Sequence, residues 1–388
     1  MTARERFDAA FTRPNLTGTP SEVPFAPLYM GLYRAPHARR LYLEALRERL
    51  TQDNPWSPSD EEQLDFLVAV HQRTLGIFKV EHDWLDISSG TPFPLFSRGT
   101  AHRCGERVWW TTPDGREHEV LLEVSPARDV WESMQPPESP EEIDRCIPLS
   151  SQTPQPDSWF HRFTERIAAQ YRHRQCLVGS MGTPYWACYG LFGFARLMQN
   201  IVDAPKLVQY AAERFLRRAE DIVRYYRSIR CDCVFIEECL SSADLISPRA
   251  YDECVFPTTR AVLDTIRKHG MRSVFYMCGD VMPLIDRVVE LPFDALAVEE
   301  SKKGFRIDIA EVRRILGTER TLFGNLDVCL VRDGTSDRIA GEVRRQVDAA
   351  GRDGHFVVSN GSPFTLDTPP EKIDMITEAT RNLCHRSG

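Results

Sequence analysis

Five short apolar runs in the second half of the chain each end in residues able to do chemistry. They read CVFIEEC (233–239), SVFYMCGD (273–280), ALAVEES (295–301), TLFGNLD (321–327) and HFVVSNGS (355–362). The ends carry Glu237, Glu238, Cys239, Tyr276, Cys278, Asp280, Glu299, Glu300, Asn325, Asp327, Asn360 and Ser362. Adjacent glutamates on a strand point to opposite faces, so one of Glu237 and Glu238 looks into the site as a general acid, a general base or an anchor for a cation, unless it pairs with a rim arginine. Glu299 and Glu300 pose the same choice. Two such pairs clustered at different strand ends repel, and a ligand, a proton or a metal must stabilise them.

Tyr276, Cys278 and Asp280 alternate, which places them on one face about 7 Å apart. Residues so spaced can grip one metal ion, and Cys278 with Glu299 gives a thiolate and a carboxylate compatible with zinc. The competing reading is a buried thiol beside a turn glycine. Asp327 could bind a ligand hydroxyl or orient a base, and the Gly-containing turn 359–362 could receive an anion on its backbone N–H groups.

These ends need a scaffold that brings them together. Each run is about strand length and rich in β-branched or aromatic residues, with amphipathic helical stretches between, the pattern of repeated βα units around a buried parallel sheet. The expected fold is α/β, a (β/α)8 TIM barrel, whose chemistry sits at the C-terminal strand ends. The stretch VPFAPLYMGLY (23–33) fits a first strand opening onto Tyr33 and Arg34, with Arg34 either in the site or on the surface. A helix over 60–74 leads into GIFKVEHDWLDI, a second strand with His82, Asp83 and Asp86 at its end. Spacing predicts helices over 159–171 and 205–226, the latter capped by Asp203 and buried through Leu207, Ala211, Phe215, Ala219, Ile222 and Tyr226. Most aromatic residues after CLVGSMG (176–182) read as packing, with Tyr185 and Trp186 near enough to a strand end to line the site. Cys231 and Cys233, one residue apart, read as core thiols on a shared face.

Residues 1–22 read as a loosely docked arm, and 23–388 as a single barrel. Residues 90–156 break the rhythm, with a hairpin around Pro113-Asp114-Gly115 and then a Pro-, Ser- and Glu-rich segment; they read as a rim insertion and linker near the N-terminal half. With 388 residues and 42% hydrophobic content a large core is available. A net charge of -8 with interleaved basic residues argues against nucleic acid and for a small-molecule substrate. No apolar leader or membrane span is visible, so a cytoplasmic protein with no membrane partner and reduced cysteines is expected.

The strings FIEECLSSADLISPRAYDECVFP, FYMCGD, LAVEES, FGNLD and SNGSPFTLDTPPEKI, in this order, resemble the uroporphyrinogen decarboxylase superfamily across residues 20–386. That superfamily holds the tetrapyrrole decarboxylase and methyltransferases that move methyl groups between corrinoids, thiols and methylated substrates. The resemblance implies the barrel. In its methyltransferases a His-x-Cys pair and a late cysteine bind zinc; the matching positions here are Tyr276, Cys278 and Ser362, so only the middle ligand is kept, while Glu299 matches a glutamate zinc ligand of similar methionine synthases. In the decarboxylase an arginine-rich segment holds substrate carboxylates and an aspartate steadies the pyrrole nitrogens; Arg34 and either Asp83 or Asp86 would serve. The expectation is methyl transfer between a small methylated donor or corrinoid and an acceptor, with zinc as the metal, a corrinoid protein as partner and a homodimer as the assembly. The alternatives are a cofactor-free decarboxylase of a carboxylated ring and a non-catalytic binding barrel.

Overall fold

In the computed structural model, residues 1–12, 22–50, 54–87, 99–121, 135–147, 158–302 and 304–383 are described. The chain opens with α1 (Ala3–Thr12), α2 (Met30–Arg49), α3 (Asp60–Leu75) and β1 (Trp84–Asp86), followed by β2 (Thr100–Cys104), β3 (Arg107–Thr111), β4 (Glu117–Glu119) and α4 (Pro140–Cys146). Next come α5 (Trp159–Tyr171), β5 (Cys176–Gly182), the short α6 (Pro184–Ala187) and α7 (Tyr189–Phe192), α8 (Phe194–Asp203) and α9 (Pro205–Ser228). The second half continues through β6 (Cys233–Glu238), α10 (Pro248–Ala250), α11 (Phe256–Lys268), β7 (Arg272–Met277) and α12 (Ile285–Val288). It ends with β8 (Ala295–Val298), α13 (Ile309–Leu316), β9 (Thr321–Phe323), α14 (Val328–Asp333), α15 (Ser336–Ala350), β10 (Phe356–Val357) and α16 (Pro370–Asn382).

Seven strands form one parallel sheet in the order β1-β5-β6-β7-β8-β9-β10. Their sequences are apolar on both faces because both are covered. One face, including Val178, Cys233, Phe235, Val274, Tyr276, Ala297 and Phe323, packs inside the curl; the other, including Leu177, Val234, Ile236, Phe275 and Leu296, packs against the helices. Cys233 belongs to the inner face and Cys231 to the outer core, so the two thiols are both buried without sharing a face.

The expected first strand is reduced to one bridge, Phe25 with Val358. Pro24 and Pro27 have no N–H to give a ladder, which limits pairing. The segment still joins the two sheet edges: Ala26 N donates to Val358 O at 3.1 Å, and Asp83 N donates to Phe25 O at 3.0 Å. Tyr33 and Arg34 consequently lie in α2, not at a strand end. His82 and Asp83 precede β1, at the end of the sheet opposite the expected site.

The expected arm is instead a docked helix. In α1, Phe7 and Ala10 are buried against Trp84 and Phe323 at the lower end of the curl. Arg4 pairs with Asp232, Arg272 with Asp8, and Arg6 with Asp83. Residues 13–21 of that arm lie outside the described residues.

Within 90–156, β2, β3 and β4 form a separate antiparallel sheet with the expected hairpin turn at Pro113–Gly115. The linker reading is corrected over 140–146, where Ser139 accepts from Glu142 N and caps α4. The rest of that segment, residues 90–98, 122–134 and 148–156, lies outside the described residues. Helix α9 starts after Ala204, with no side-chain cap from Asp203. Its buried side runs through Val208, Ala211, Ala212, Ala219, Val223 and Tyr226, while Ile222 is left 37% exposed. Among the described residues no helix is long and apolar enough to cross a membrane.

Candidate active site

The upper ends of β6, β7 and β8 meet at a cluster of carboxylates, thiols and phenols. Along β6 the alternation Cys233, Phe235, Glu237 faces inward, so Glu237 enters the hollow and Glu238 points behind the sheet. Burial pushes the Glu237 carboxyl above the ordinary range, and a hydrogen bond from Tyr29 pulls it partly back.

Tyr29 is the residue that sequence reasoning missed at this wall. It stands before α2 in the left-handed region at φ 58, where a bulky side chain costs about 1–3 kcal/mol of backbone strain. The strained backbone turns the ring over Phe235 and Tyr276, both at 5.5 Å between centroids, and brings its hydroxyl 3.8 Å from Cys239 Sγ. No periodicity marks such a position.

On β7, Tyr276 is buried and donates to Gly361 O at 2.8 Å. Cys278 follows on the same face, next to Cys239 across the β6–β7 register. Asp280 leaves that face because Gly279, at φ 84, turns the chain; its carboxylate accepts from Met282 N and caps the next turn.

Beyond β8 the two glutamates converge on Lys302, also absent from the sequence reading because it follows the strand in a loop. Glu299 pairs with the Lys302 ammonium through Oε1 and accepts from Gly279 N at 2.7 Å through Oε2. Lys302 lies 3.8 Å from Glu300 and donates to Ser362 Oγ at 2.7 Å. The Ser362 hydroxyl, between Glu299 Oε1 at 3.1 Å and Glu300 Oε2 at 2.7 Å, has one proton to give. Burial pushes Glu300 up. It also lowers the Lys302 ammonium, but the two carboxylates outweigh this and hold it above its usual value.

This arrangement does not fit the expected zinc ligands. Zinc takes four tetrahedral donors. Among the described residues no three His, Cys, Asp or Glu side chains converge to hold a metal, and the carboxylate of Glu299 is already shared by an ammonium, a hydroxyl and a backbone N–H. Lys302→Met is expected to lower the unfolding free energy by about 2 kcal/mol. That is less than the roughly 3–5 kcal/mol for breaking a fully buried pair, because the Lys302 side chain is 31% exposed. Without the cation the Glu300 carboxyl, already raised by burial, shifts further up, so the deficit shrinks as pH falls and it takes a proton. Denaturant melts at two pH values measure it.

The remaining expected site residues are scaffold or lie elsewhere. Asn325 Nδ2 donates to Glu299 O at 3.0 Å and fixes the end of β8. Asn360 bonds Leu28 N, Leu28 O and Ser362 O, so it positions Ser362. Asp327 caps α14. Tyr33 donates to Thr368 O outside the sheet, and Tyr185 is packed behind β6. Trp186 covers Gly182 and lines an outer cavity of about 380 Å³. Arg34, 7% exposed, donates to Met30 O and lines a lateral cavity of about 300 Å³ together with His82 and Asp86. Asp86 also accepts from Ser180 Oγ at 3.1 Å.

Behind the sheet, burial pushes Glu238 up to about 7 although Thr183, Leu240 N and Ser241 favour its charged form. Its ordinary value is 4.5, so its folded pKa is the higher one. Such a group contributes fully below pH 4.5 and loses that contribution as pH rises through about 7, on the order of 3 kcal/mol at about 1.4 kcal/mol per pH unit. Glu238→Gln is expected to flatten stability between those pH values. An unchanged slope in urea melts would refute the assignment.

Residues 130–383 match the family model for uroporphyrinogen decarboxylase, URO-D. The uroporphyrinogen decarboxylase of Crocosphaera subtropica is 22% identical over 249 residues, 63% of this chain and 68% of that protein. That of Trichodesmium erythraeum is 23% identical over 252 residues, 62% and 67% of the two chains. Among solved structures, a methyltransferase from Methanosarcina mazei superposes with a TM-score of 0.60 at 15% identity, covering 99% of both chains. That likeness is one of fold. The family match spans nearly two thirds of the chain, includes every strand from β5 to β10, and carries Glu237, Tyr276, Cys278, Glu299 and Lys302. The chain belongs to the uroporphyrinogen decarboxylase family.

Proposed function

We propose that the protein is an enzyme that transfers a methyl group from a small methylated donor or a methylated corrinoid to an acceptor held at the upper ends of β6, β7 and β8. The observation that carries this reading is the charge at those ends. Glu237, Glu299 and Glu300 are carboxylates, and among the described residues the one cation that pairs with them, Lys302, is committed to two of them. A polycarboxylated tetrapyrrole needs several free cations, whereas a cationic methyl donor is attracted and a neutral one is not repelled. In the reaction the methyl carbon forms a bond to the acceptor, a thiol for instance, while the donor atom departs with its bonding pair. Glu237, raised by burial and held by Tyr29, takes the acceptor's proton. Tyr276 and the ring of Tyr29 form the wall that excludes water. We also read the segment 23–28 as the eighth stave of a complete barrel, since it bonds both edge strands.

Decarboxylation of a carboxylated ring is the second reading, favoured by the names of the sequence relatives. Arg34 would then have to reach its carboxylate from the lateral cavity. One experiment separates the two: the purified chain is offered methylamines, methyl thioethers and methylcobalamin with a thiol acceptor, and, in parallel, uroporphyrinogen. Methylated thiol supports methyl transfer. Carbon dioxide release without it overturns that reading.

A further inference from the structure

We propose that Cys239 and Cys278 form a redox pair that exchanges with small disulfides and closes into a reversible intrachain disulfide at the rim of the site. The parallel register of β6 and β7 pairs Glu238 with Met277, so the next residues on the two strands, Cys239 and Cys278, stand opposite each other. The hydrogen bond from Cys278 N to Glu238 O at 2.9 Å continues the ladder to this point. Neighbouring strands lie about 4.8 Å apart, inside the Cα separation of about 4.4–6.8 Å that a disulfide spans, so the register brings the two residues within reach of closure. Both side chains follow the inward alternation and pack against the same interior cluster. Tyr29 Oη, 3.8 Å from Cys239 Sγ, holds that sulfur at the rim. Both thiols are partly exposed, unlike the buried Cys176, Cys188, Cys231, Cys233 and Cys254.

The chemistry balances with a low-molecular-weight disulfide as oxidant. The Cys278 thiol gives its proton to water and its sulfur attacks one sulfur of the small disulfide. A mixed disulfide forms and the first small thiolate leaves. Cys239 then attacks Cys278 Sγ, the mixed bond breaks, and the second small thiolate leaves. The two cysteines give up two electrons and two protons, and the small disulfide becomes two thiols. This does not rest on methyl transfer, since it needs neither donor nor acceptor.

The test uses the full chain, folded and reduced, incubated with oxidised glutathione, quenched in acid, alkylated, and mapped as peptides without reduction. The expected result is a peptide cross-linked between Cys239 and Cys278, two fewer alkylated thiols per chain, and full recovery with dithiothreitol. In Cys239→Ser, Cys278 is expected to retain a stable glutathione adduct, because the partner that would resolve it is gone. The proposal is overturned if both thiols of the folded parent remain alkylated while exposed Cys104, Cys146 or Cys329 carry the adducts. It is equally overturned if the cross-link appears only after denaturant is added.

Discussion

Asp83→Ala is expected to lower the unfolding free energy by about 3 kcal/mol and to leave ligand binding at the upper site unchanged. The Asp83 side chain is fully buried and accepts from Arg6 Nε at 2.9 Å, Arg381 Nη2 at 3.1 Å and Phe25 N at 2.7 Å. One carboxylate thereby fastens α1, α16 and the segment 23–28 to the start of β1. The triad is no net source of stability, because burial pushes the Asp83 carboxyl up in spite of Arg381 and Arg6. Removing one partner is a different matter: it leaves two guanidinium groups and a buried N–H without their acceptor. Arg6 and Arg381, at 11% and 24% side-chain exposure, recover some hydration, which places the cost at the lower end of the roughly 3–5 kcal/mol seen for buried pairs. Asp83→Asn, which keeps an oxygen for Phe25 N, should lose about half as much. Urea melts of both variants with a ligand titration decide it: lost binding with unchanged stability would restore Asp83 to the site.

Glu237→Gln should reduce kcat by on the order of 10²–10⁴-fold, the usual contribution of a positioned proton acceptor. The amide keeps the shape of the carboxyl and still accepts from Tyr29, so substrate affinity should change little. The pH profile is the sharper readout. Burial places the Glu237 pKa above that of an ordinary glutamate, so the rate of the parent should rise with pH through that raised value as the base form appears. In the variant this acidic limb should vanish. A profile that keeps it would assign the proton to another group. Stability carries the opposite sign, since a buried carboxylate with a raised pKa costs folding free energy at neutral pH, and its amide removes that cost.

Much of this arrangement is legible in the sequence where one local rule governs it. Runs such as CVFIEEC and SVFYMCGD form strands because each is apolar on both faces, and strand alternation alone places Glu237, Tyr276 and Cys278 on one side. The helices over 60–74 and 159–171 follow from spacing, and Ser59 with Glu62 adds a capping box to the first. Reading fails where the outcome depends on distant groups. The strand at 23–28 looks apolar, but its two prolines cannot donate, and its partners lie on either side of the chain in Asp83 and Val358. Asp280 and Asp327 look catalytic at the ends of apolar runs, yet each satisfies backbone N–H groups of the next helical turn, which is what an aspartate after a strand often does. Glu238 differs from Glu237 only in parity, and parity fixes the face. Tyr29 and Lys302 carry no periodic signal because a strained turn and a loop place them.

Helix α1 also sets an order of assembly. Its Phe7 and Ala10 rest against Trp84 and Phe323, and the carbonyl of Ala10 receives Thr321 Oγ1 at 2.7 Å and His355 Nδ1 at 3.0 Å. Phe323, Thr321 and His355 lie more than 300 residues downstream, so on the ribosome residues 3–12 emerge long before that part of the floor they cover exists. Ordering so distant a contact costs loop-closure entropy that local helices avoid. This early helix is therefore among the last to dock, and until β9 and β10 are synthesised its aromatic side stays open to chaperones or to a neighbouring nascent chain.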